Sequence, residues 1–401
     1  MTSIDMSHGL DWLIHPFGSD EFYKLHYETA PLCVRRDNAA YFAGLPDLDS
    51  VDELLSTTVS NRVNSRHGER LTRFEADGSS SDRSARVTSN ASVDIHGIYR
   101  SYHSGFTVVI NQVHRRSSPV ARLCRGLQAT MHHPIGANLY LTPESAQGFP
   151  PHVDTHDVFV LQLHGTKEWH VSTPTSPLPL AQTKYKKQEI PDFQVYDLSP
   201  GDMLYLPRGY RHEAITGASS SLHLTIGINA FRWHDLFSEA LELLADEDVA
   251  LRNALPAGYM RKPLDMDYVK KVSRRVAEAL CSAELMGRAK ERIASRFLAS
   301  DAAAGISQFR SLDAVASLTS TSIVARRPET LCLVGSANGR ATIEFGGNYV
   351  SGPDSIAPTL QFVAENEQFA IGDLPGRMHE EDRMELIKRL VTEGLLEVLQ
   401  K

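Results

Sequence analysis

Between Gly105 and Ile228 the apolar positions fall in short, β-branched runs separated by Gly and Pro, a pattern of many short strands. The run 106–111 (Phe-Thr-Val-Val-Ile-Asn) opens the series, and further strand candidates follow at 137–141, 152–163, 168–172, 194–197, 202–206 and 222–228. A helical spacing, Leu123, Leu127 and Met131 within 120–131, interrupts them once. Gly165 between Leu163 and Lys167 marks a hairpin turn. Together these segments predict a barrel or sandwich. After Asn229 the period changes: 236–245 and 268–298 carry apolar residues at helical spacing with charges between them. The last section, 326–401, mixes helix patterns at 356–365 and 380–399 with short strand-like pieces at 341–345 and 369–371.

The flanks of this β-rich stretch differ. The first sixty residues hold Trp12, Phe17, Phe22, Tyr23 and Tyr27 among turn signals, which predicts helices leaning on a core. Residues 61–95 are rich in Arg and Ser and predict a strand followed by a mobile loop, either a solvated surface or a lip that meets a substrate. With 401 residues the chain has room for two or three domains. Its formal charge of -8 argues against a general nucleic-acid binder and leaves room for local basic patches. Cys33, Cys124, Cys281 and Cys332 are far apart and predict reduced thiols. The start lacks a basic, apolar leader and no apolar run approaches a membrane span, which predicts a cytoplasmic protein.

The chemistry enters at His152-Val153-Asp154, with His212 sixty residues later in Leu-Tyr-Leu-Pro-Arg-Gly-Tyr-Arg-His. Two imidazoles and one carboxylate occupy one face of an octahedron and leave three adjacent positions open, the ligand set of a mononuclear Fe(II) oxygenase rather than a closed structural zinc site. On a strand, residues two apart share a side, so His152 and Asp154 can reach one ion, with His212 supplied by a neighbouring strand. His223, flanked by Leu222 and Leu224, is the rival third ligand, with a buried strand histidine as its ordinary reading. Lys167, fifteen residues after His152, begins the next strand, where its ammonium can hold the far carboxylate of 2-oxoglutarate; a solvated hairpin lysine is the alternative. Tyr140 and Gln147 are candidates for the substrate cleft. His132, His133 and His156 read as structural or exposed.

The run Ile135-Gly-Ala-Asn-Leu-Tyr-Leu-Thr-Pro-Glu-Ser-Ala-Gln-Gly-Phe-Pro-Pro-His-Val-Asp154, continuing to Gly165-Thr-Lys-Glu-Trp169, resembles the JmjC-type, cupin-like ribosomal oxygenases. Ser199-Pro-Gly-Asp-Met-Leu-Tyr-Leu-Pro-Arg-Gly-Tyr-Arg-His212 and Ser221-Leu-His-Leu-Thr-Ile226 add to the match. The resemblance implies a mainly β catalytic core, a double-stranded β-helix, over 1–235, an α-helical dimerisation region over 236–325 and a winged-helix-like domain over 326–401. It assigns His152, Asp154 and His212 to iron, Lys167 to 2-oxoglutarate and Asn138 to a place beside that co-substrate. The 61–95 segment and the His156-Asp157 pair depart from the family pattern, and that leaves the substrate open.

The resemblance implies a homodimer that hydroxylates a side chain, His or Arg, of a ribosomal protein, consuming 2-oxoglutarate and O2. Hydroxylation of a small molecule or modified peptide is one competing reading, and a non-catalytic cupin-like scaffold is another. Direct DNA binding is not expected of the terminal domain. Residues 351–401 hold five Lys and Arg against ten Asp and Glu, the reverse of what phosphate contact needs, so a protein-interaction or structural role is predicted there.

Overall fold

In the computed structural model the described residues are 9–57, 69–75, 79–87, 92–174, 177–180, 192–300 and 307–399. They form two compact units, Met1–Ala230 and Phe231–Lys401.

The first unit opens with α1 (Gly9–Ile14), α2 (Ser19–Leu25), β1 (Leu32–Val34) and α3 (Leu48–Thr57). The hairpin β2 (Arg70–Phe74) and β3 (Ser80–Ser84) follows, then α4 (Ile95–His103), β4 (Thr107–Ile110) and α5 (Ser118–Met131). Part of the Arg- and Ser-rich 61–95 segment lies outside the described residues; the rest is this hairpin and its approach to α4. Eight strands complete the unit: β5 (Ile135–Thr142), β6 (His152–Val153), β7 (Asp157–His164), β8 (Lys167–Ser172), β9 (Phe193–Leu198), β10 (Met203–Leu206), β11 (Arg211–Thr216) and β12 (Ser221–Ile228).

These eight divide between two sheets. The larger has the order β1-β10-β7-β12-β5-β4-β2-β3, and the smaller β6-β11-β8-β9. The neighbouring pairs are antiparallel, so the chain repeatedly crosses from one sheet to the other, the β-rich core expected. β7 shows why its middle, 158–161, is a continuous apolar run. Phe159 and Leu161 enter the main core on one face, whereas Val158 and Val160 pack with Trp169, Val171 and Leu198 of the smaller sheet on the other. Both faces are covered, so the strand has no polar side to show. The main core continues through Phe22, whose ring meets Tyr205 at 4.9 Å and Phe159 at 5.7 Å. Truncating an aromatic in such a setting to Ala costs about 3–5 kcal/mol.

One strand expectation needs correction. The 152–163 run is not one strand: β6 belongs to the smaller sheet and β7 to the larger, and the chain changes sheets at 154–156. Asp157, fully buried, anchors the crossing, its carboxylate accepting from the Arg208 backbone N–H (2.7 Å) and guanidinium (3.1 Å). β11, which carries His212, lies outside the predicted strand segments because Arg-His-Glu-Ala-Ile-Thr offers no apolar run.

The second unit begins with α6 (Trp233–Glu247), α7 (Val249–Arg252), α8 (Met266–Leu280), α9 (Ala283–Ser300) and α10 (Gln308–Ala314). The predicted helix over 268–298 is therefore two helices that break at 281–282. Buried Glu239 of α6 is paired with Arg292 (2.9 Å) and Arg296 of α9, which locks those two together. Beyond them lie β13 (Ile323–Arg326), the meander β14 (Cys332–Ala337), β15 (Arg340–Phe345) and β16 (Asn348–Pro353), then α11 (Ala357–Glu365), β17 (Gln368–Ala370), α12 (Glu380–Thr392) and β18 (Leu396–Val398). The 380–399 pattern is shorter as a helix than predicted. Gly394 takes φ +92°, which only glycine adopts cheaply, and the chain turns into β18 beside β13. Among the described residues no helix is long and apolar enough to cross a membrane.

Candidate metal centre and adjoining cavity

The change of sheet at 154–156 brings the proposed ligands together. His212 on β11 pairs in register with His152 on β6, and Asp154 lies just past the end of β6. Ligand atoms of His152, Asp154 and His212 all fall within 4.8 Å of one another, the one such cluster among the described residues. His152 Nε2 stands 3.8 Å from Asp154 Oδ1, and His212 Nε2 3.7 Å from Asp154 Oδ2. His223 is not part of this cluster. The turn before His212 is held to the same spot, because the N–H of Gly209 donates to the Asp154 carbonyl at 3.1 Å.

Each imidazole has its tautomer fixed. His152 Nδ1–H donates to the Pro150 carbonyl at 2.9 Å, and His212 Nδ1–H to the Tyr210 carbonyl at 3.0 Å. Both Nε2 atoms are left as lone-pair donors facing the carboxylate, the arrangement in which outer hydrogen bonds orient metal-ligating histidines. Burial holds the His212 pKa down at about 4, with His152 adding to the effect. Burial pushes the Asp154 carboxyl up, but His152 and His212 outweigh it, and the net shift is downward. Neutral imidazoles and an ionised carboxylate are the forms that a cation requires.

A cavity of about 500 Å³ opens beside the triad. Lys167 lines it, 5% exposed, its Nζ donating to Thr142 Oγ1 at 3.0 Å. Among the described residues no carboxylate pairs with this ammonium, and burial pulls its pKa down to about 7. It is not a solvated hairpin lysine. Thr107 Oγ1 donates to Thr142 at 3.1 Å behind it. Tyr140 also lines the cavity, stacked on His223 with ring centres 4.8 Å apart. His223 is buried, has no partner for Nδ1 among the described residues, and has its pKa pulled well down by burial and then by Lys167. Asn138 lines the cavity as well, its Oδ1 accepting from the Gln112 N–H at 2.8 Å.

Gln147 is not among the lining residues, contrary to the substrate-cleft expectation. Its amide donates to the Phe149 carbonyl (2.9 Å) and to Glu213 Oε2 (2.8 Å), so it ties the lead into His152 to the residue after His212. His156, expected to be structural or exposed, does line the cavity, and Thr142, Thr107, Trp169 and His114 line it without having been singled out. Threonine and tryptophan on strands carry no signal of their own; only the alternation of β5 about Asn138 and Tyr140 pointed to Thr142.

Residues 111–236 match the family model described as JmjC domain. The chain is 33% identical over 264 residues to Ribosomal oxygenase 1 of Danio rerio, covering 62% of this chain and 46% of that protein. It is 31% identical over 261 residues to the bifunctional lysine-specific demethylase and histidyl-hydroxylase NO66 of Dictyostelium discoideum, covering 62% and 49%. The chain thus spans about half the length of the curated relatives it matches. Among solved structures, Escherichia coli ribosomal oxygenase YcfD is similar with a TM-score of 0.58 at 16% identity, over 96% of this chain and 98% of that one. YcfD in complex with cobalt and 2-oxoglutarate gives 0.56 at 16% identity, over 96% and 99%. These likenesses show a shared fold.

Proposed function

We propose, from a chain that carries a JmjC domain, that this protein is an Fe(II)- and 2-oxoglutarate-dependent dioxygenase that hydroxylates an amino-acid side chain, His or Arg, of a ribosomal protein. One observation carries the reading. A two-His, one-carboxylate set and a buried ammonium without a carboxylate partner among the described residues share a single cavity. The donor set fits iron with open positions, and a buried cation beside a hydroxyl fits the carboxylate of a diacid. In this reading His152, Asp154 and His212 hold Fe(II), and Lys167 with Thr142 holds the far end of 2-oxoglutarate.

When bound, iron with 2-oxoglutarate and O2 supplies the oxidation of an unactivated C–H bond, leaving succinate and carbon dioxide as co-products. The chain's own part is positioning. The Pro150 and Tyr210 carbonyls hold the two Nδ1 atoms, so both Nε2 atoms would be free to meet the cation. Lys167 keeps its proton at Nζ when the carboxylate arrives, and Trp169, with its ring 5.8 Å from that of His212, helps to exclude water. No side chain is required as a general base.

The same reading gives the second unit a supporting role. The exposed Leu255, Tyr259, Met260 and Met266 favour homodimerisation through the helical region 236–325. The β14–β16 meander with α11 and α12 favours a winged-helix-like domain that meets protein rather than DNA, given its acidic balance. The relatives' names favour a cytoplasmic or nuclear site of action. Anaerobic titration with Fe(II) and then 2-oxoglutarate tests the centre: a weak visible charge-transfer band is expected, and a flat spectrum removes the oxygenase reading.

A further inference from the structure

A second cavity, of about 540 Å³, lies in the first unit, and the oxygenase reading makes no use of it. It opens on the reverse face of the edge of the larger sheet. Residues alternate along a strand: Arg70 and Thr107 line the metal cavity, whereas their neighbours Leu71 and Phe106 line this one. Arg83 pairs in register with Leu71, so it leaves β3 on that reverse face, and α4 supplies the opposite wall.

The lining is cationic. Arg83, Arg86 and Arg100 contribute three guanidiniums against one carboxylate among the described lining residues, Asp94. Asp94 is the N-cap of α4 and accepts from the Gly97 N–H at 2.9 Å, with the Arg100 guanidinium 3.9 Å away. Other arginines of the region are closely paired: Arg70 with Asp82, Arg73 with Glu75, and Arg116 with Glu69 at 2.7 Å. Arg83 instead lies 4.6 Å over the Phe106 ring and donates to Ser101 Oγ at 3.0 Å, and Arg86 has no carboxylate partner among the described residues. In a chain of formal charge -8 these three like charges repel one another around an open space, and a bound anion relieves that repulsion.

The groups left over decide which anion fits. Leu71 and Ile98 are buried, and the Phe106 ring carries the guanidiniums of Arg73, at 4.8 Å, and Arg83 over it. The described lining therefore offers no apolar seat for the side chains of an acidic peptide and no aromatic face for a base. The Ser101 hydroxyl is spent on Arg83 and on the Gly97 carbonyl at 2.7 Å. What remains are guanidinium N–H groups in planar forks, which match the paired oxygens of phosphate. Phosphates spaced along a strand meet several guanidiniums at once, with no contact to the bases.

We propose that the Arg83–Arg86–Arg100 cavity binds the phosphate backbone of an RNA strand without regard to base. The phosphate chemistry stands on the cavity itself; RNA as its source rests on the ribosomal target proposed above, because a ribosomal protein is presented on RNA.

Fluorescence anisotropy of the full chain with a labelled single-stranded RNA of about twelve nucleotides tests the chemistry. Three phosphate contacts predict that log K falls with log salt at a slope of about -2, an affinity loss of about twentyfold between about 50 and 200 mM. A second RNA of the same length and unrelated sequence should bind within about twofold. Arg86→Gln, at an exposed position, should reduce the slope by about 0.7. Arg83→Gln, Arg86→Gln and Arg100→Gln combined should weaken binding by about tenfold or more and remove most of the slope. No RNA binding, even where inorganic phosphate alone binds, overturns the site. So does parent-like binding in both variants, or an octaglutamate peptide that binds as tightly as the RNA. The source is read in cells, where ultraviolet light should crosslink the chain to nucleic acid that ribonuclease removes and deoxyribonuclease does not, and the combined variant should lose the crosslink. No crosslink, or one removed by deoxyribonuclease, overturns RNA as the ligand. None of these measurements needs metal or 2-oxoglutarate, so a flat charge-transfer spectrum removes the oxygenase reading and leaves the cavity standing.

Discussion

The two histidines of the triad are oriented by their own chain, whereas the lysine of the same cavity is oriented by a strand of the other sheet. His152 and His212 each donate Nδ1–H to a carbonyl two residues earlier, Pro150 and Tyr210. Lys167 on β8 finds its hydroxyl on β5, twenty-five residues back. A local brace forms with the strand itself and survives changes elsewhere. A remote one exists only when both sheets have packed, so the metal set is built into short sequence and the co-substrate end into tertiary structure. Substitutions at the two places should therefore differ in kind: loss of the centre in one case, a graded loss of co-substrate affinity in the other.

The largest effect is expected at the triad. Asp154→Ala or His152→Ala removes one of three donors to the cation, and succinate formation should be abolished; retained turnover would mean that the ligands lie elsewhere. Lys167→Ala is expected to leave the metal set in place and to raise the 2-oxoglutarate requirement by one to two orders of magnitude, at about 1.5–3 kcal/mol for a charge-assisted contact. Its pH dependence sharpens the contrast. Burial lowers this ammonium's pKa to about 7 before the co-substrate binds, and the carboxylate needs the charged form. Affinity is therefore full below about pH 7 and falls as pH rises above it, by up to about tenfold per pH unit, with uptake of a proton on binding. Lys167→Arg, charged throughout, should flatten that fall; an unchanged slope in calorimetric titrations would place the anchor elsewhere.

The same division explains what could be read from the chain. His152 and Asp154 are adjacent in sequence and His212 follows a distinctive Pro-Arg-Gly turn, so the donor set was legible. The route by which they meet was not: the run over 152–163 reads as one strand and carries no mark of the sheet change at 154–156, because the strands on either side draw on the same β-forming residues. Gln147 stands in the same motif but does not line the cavity, and its partners, the Phe149 carbonyl and Glu213, come together only across two strands. Thr142 and His114 carry little signal for a related reason. Their function comes from what faces them across the cavity, and threonine on a strand has many ordinary explanations. In the second unit the apolar spacing gave the helices but not the break at 281–282 or the short strands that pair at long range.

The smallest effect tests the remote brace itself. Thr142→Val keeps the side chain's shape and removes the acceptor of the Lys167 ammonium, together with the partner of the Thr107 hydroxyl. The loss of one hydrogen bond to a buried group, about 1 kcal/mol, predicts a rise of about fivefold in the KM for 2-oxoglutarate with kcat little changed. A buried ammonium that loses a hydrogen-bond partner is also harder to keep charged, so the pH at which affinity begins to fall should move below about 7. That displacement separates a brace from mere packing: a Thr that only filled space would raise KM or lower the melting temperature without moving the break. If the break stays in place, the Lys167 ammonium is stabilised by the cavity as a whole, and the contrast between a locally held metal set and a remotely held lysine loses its main support.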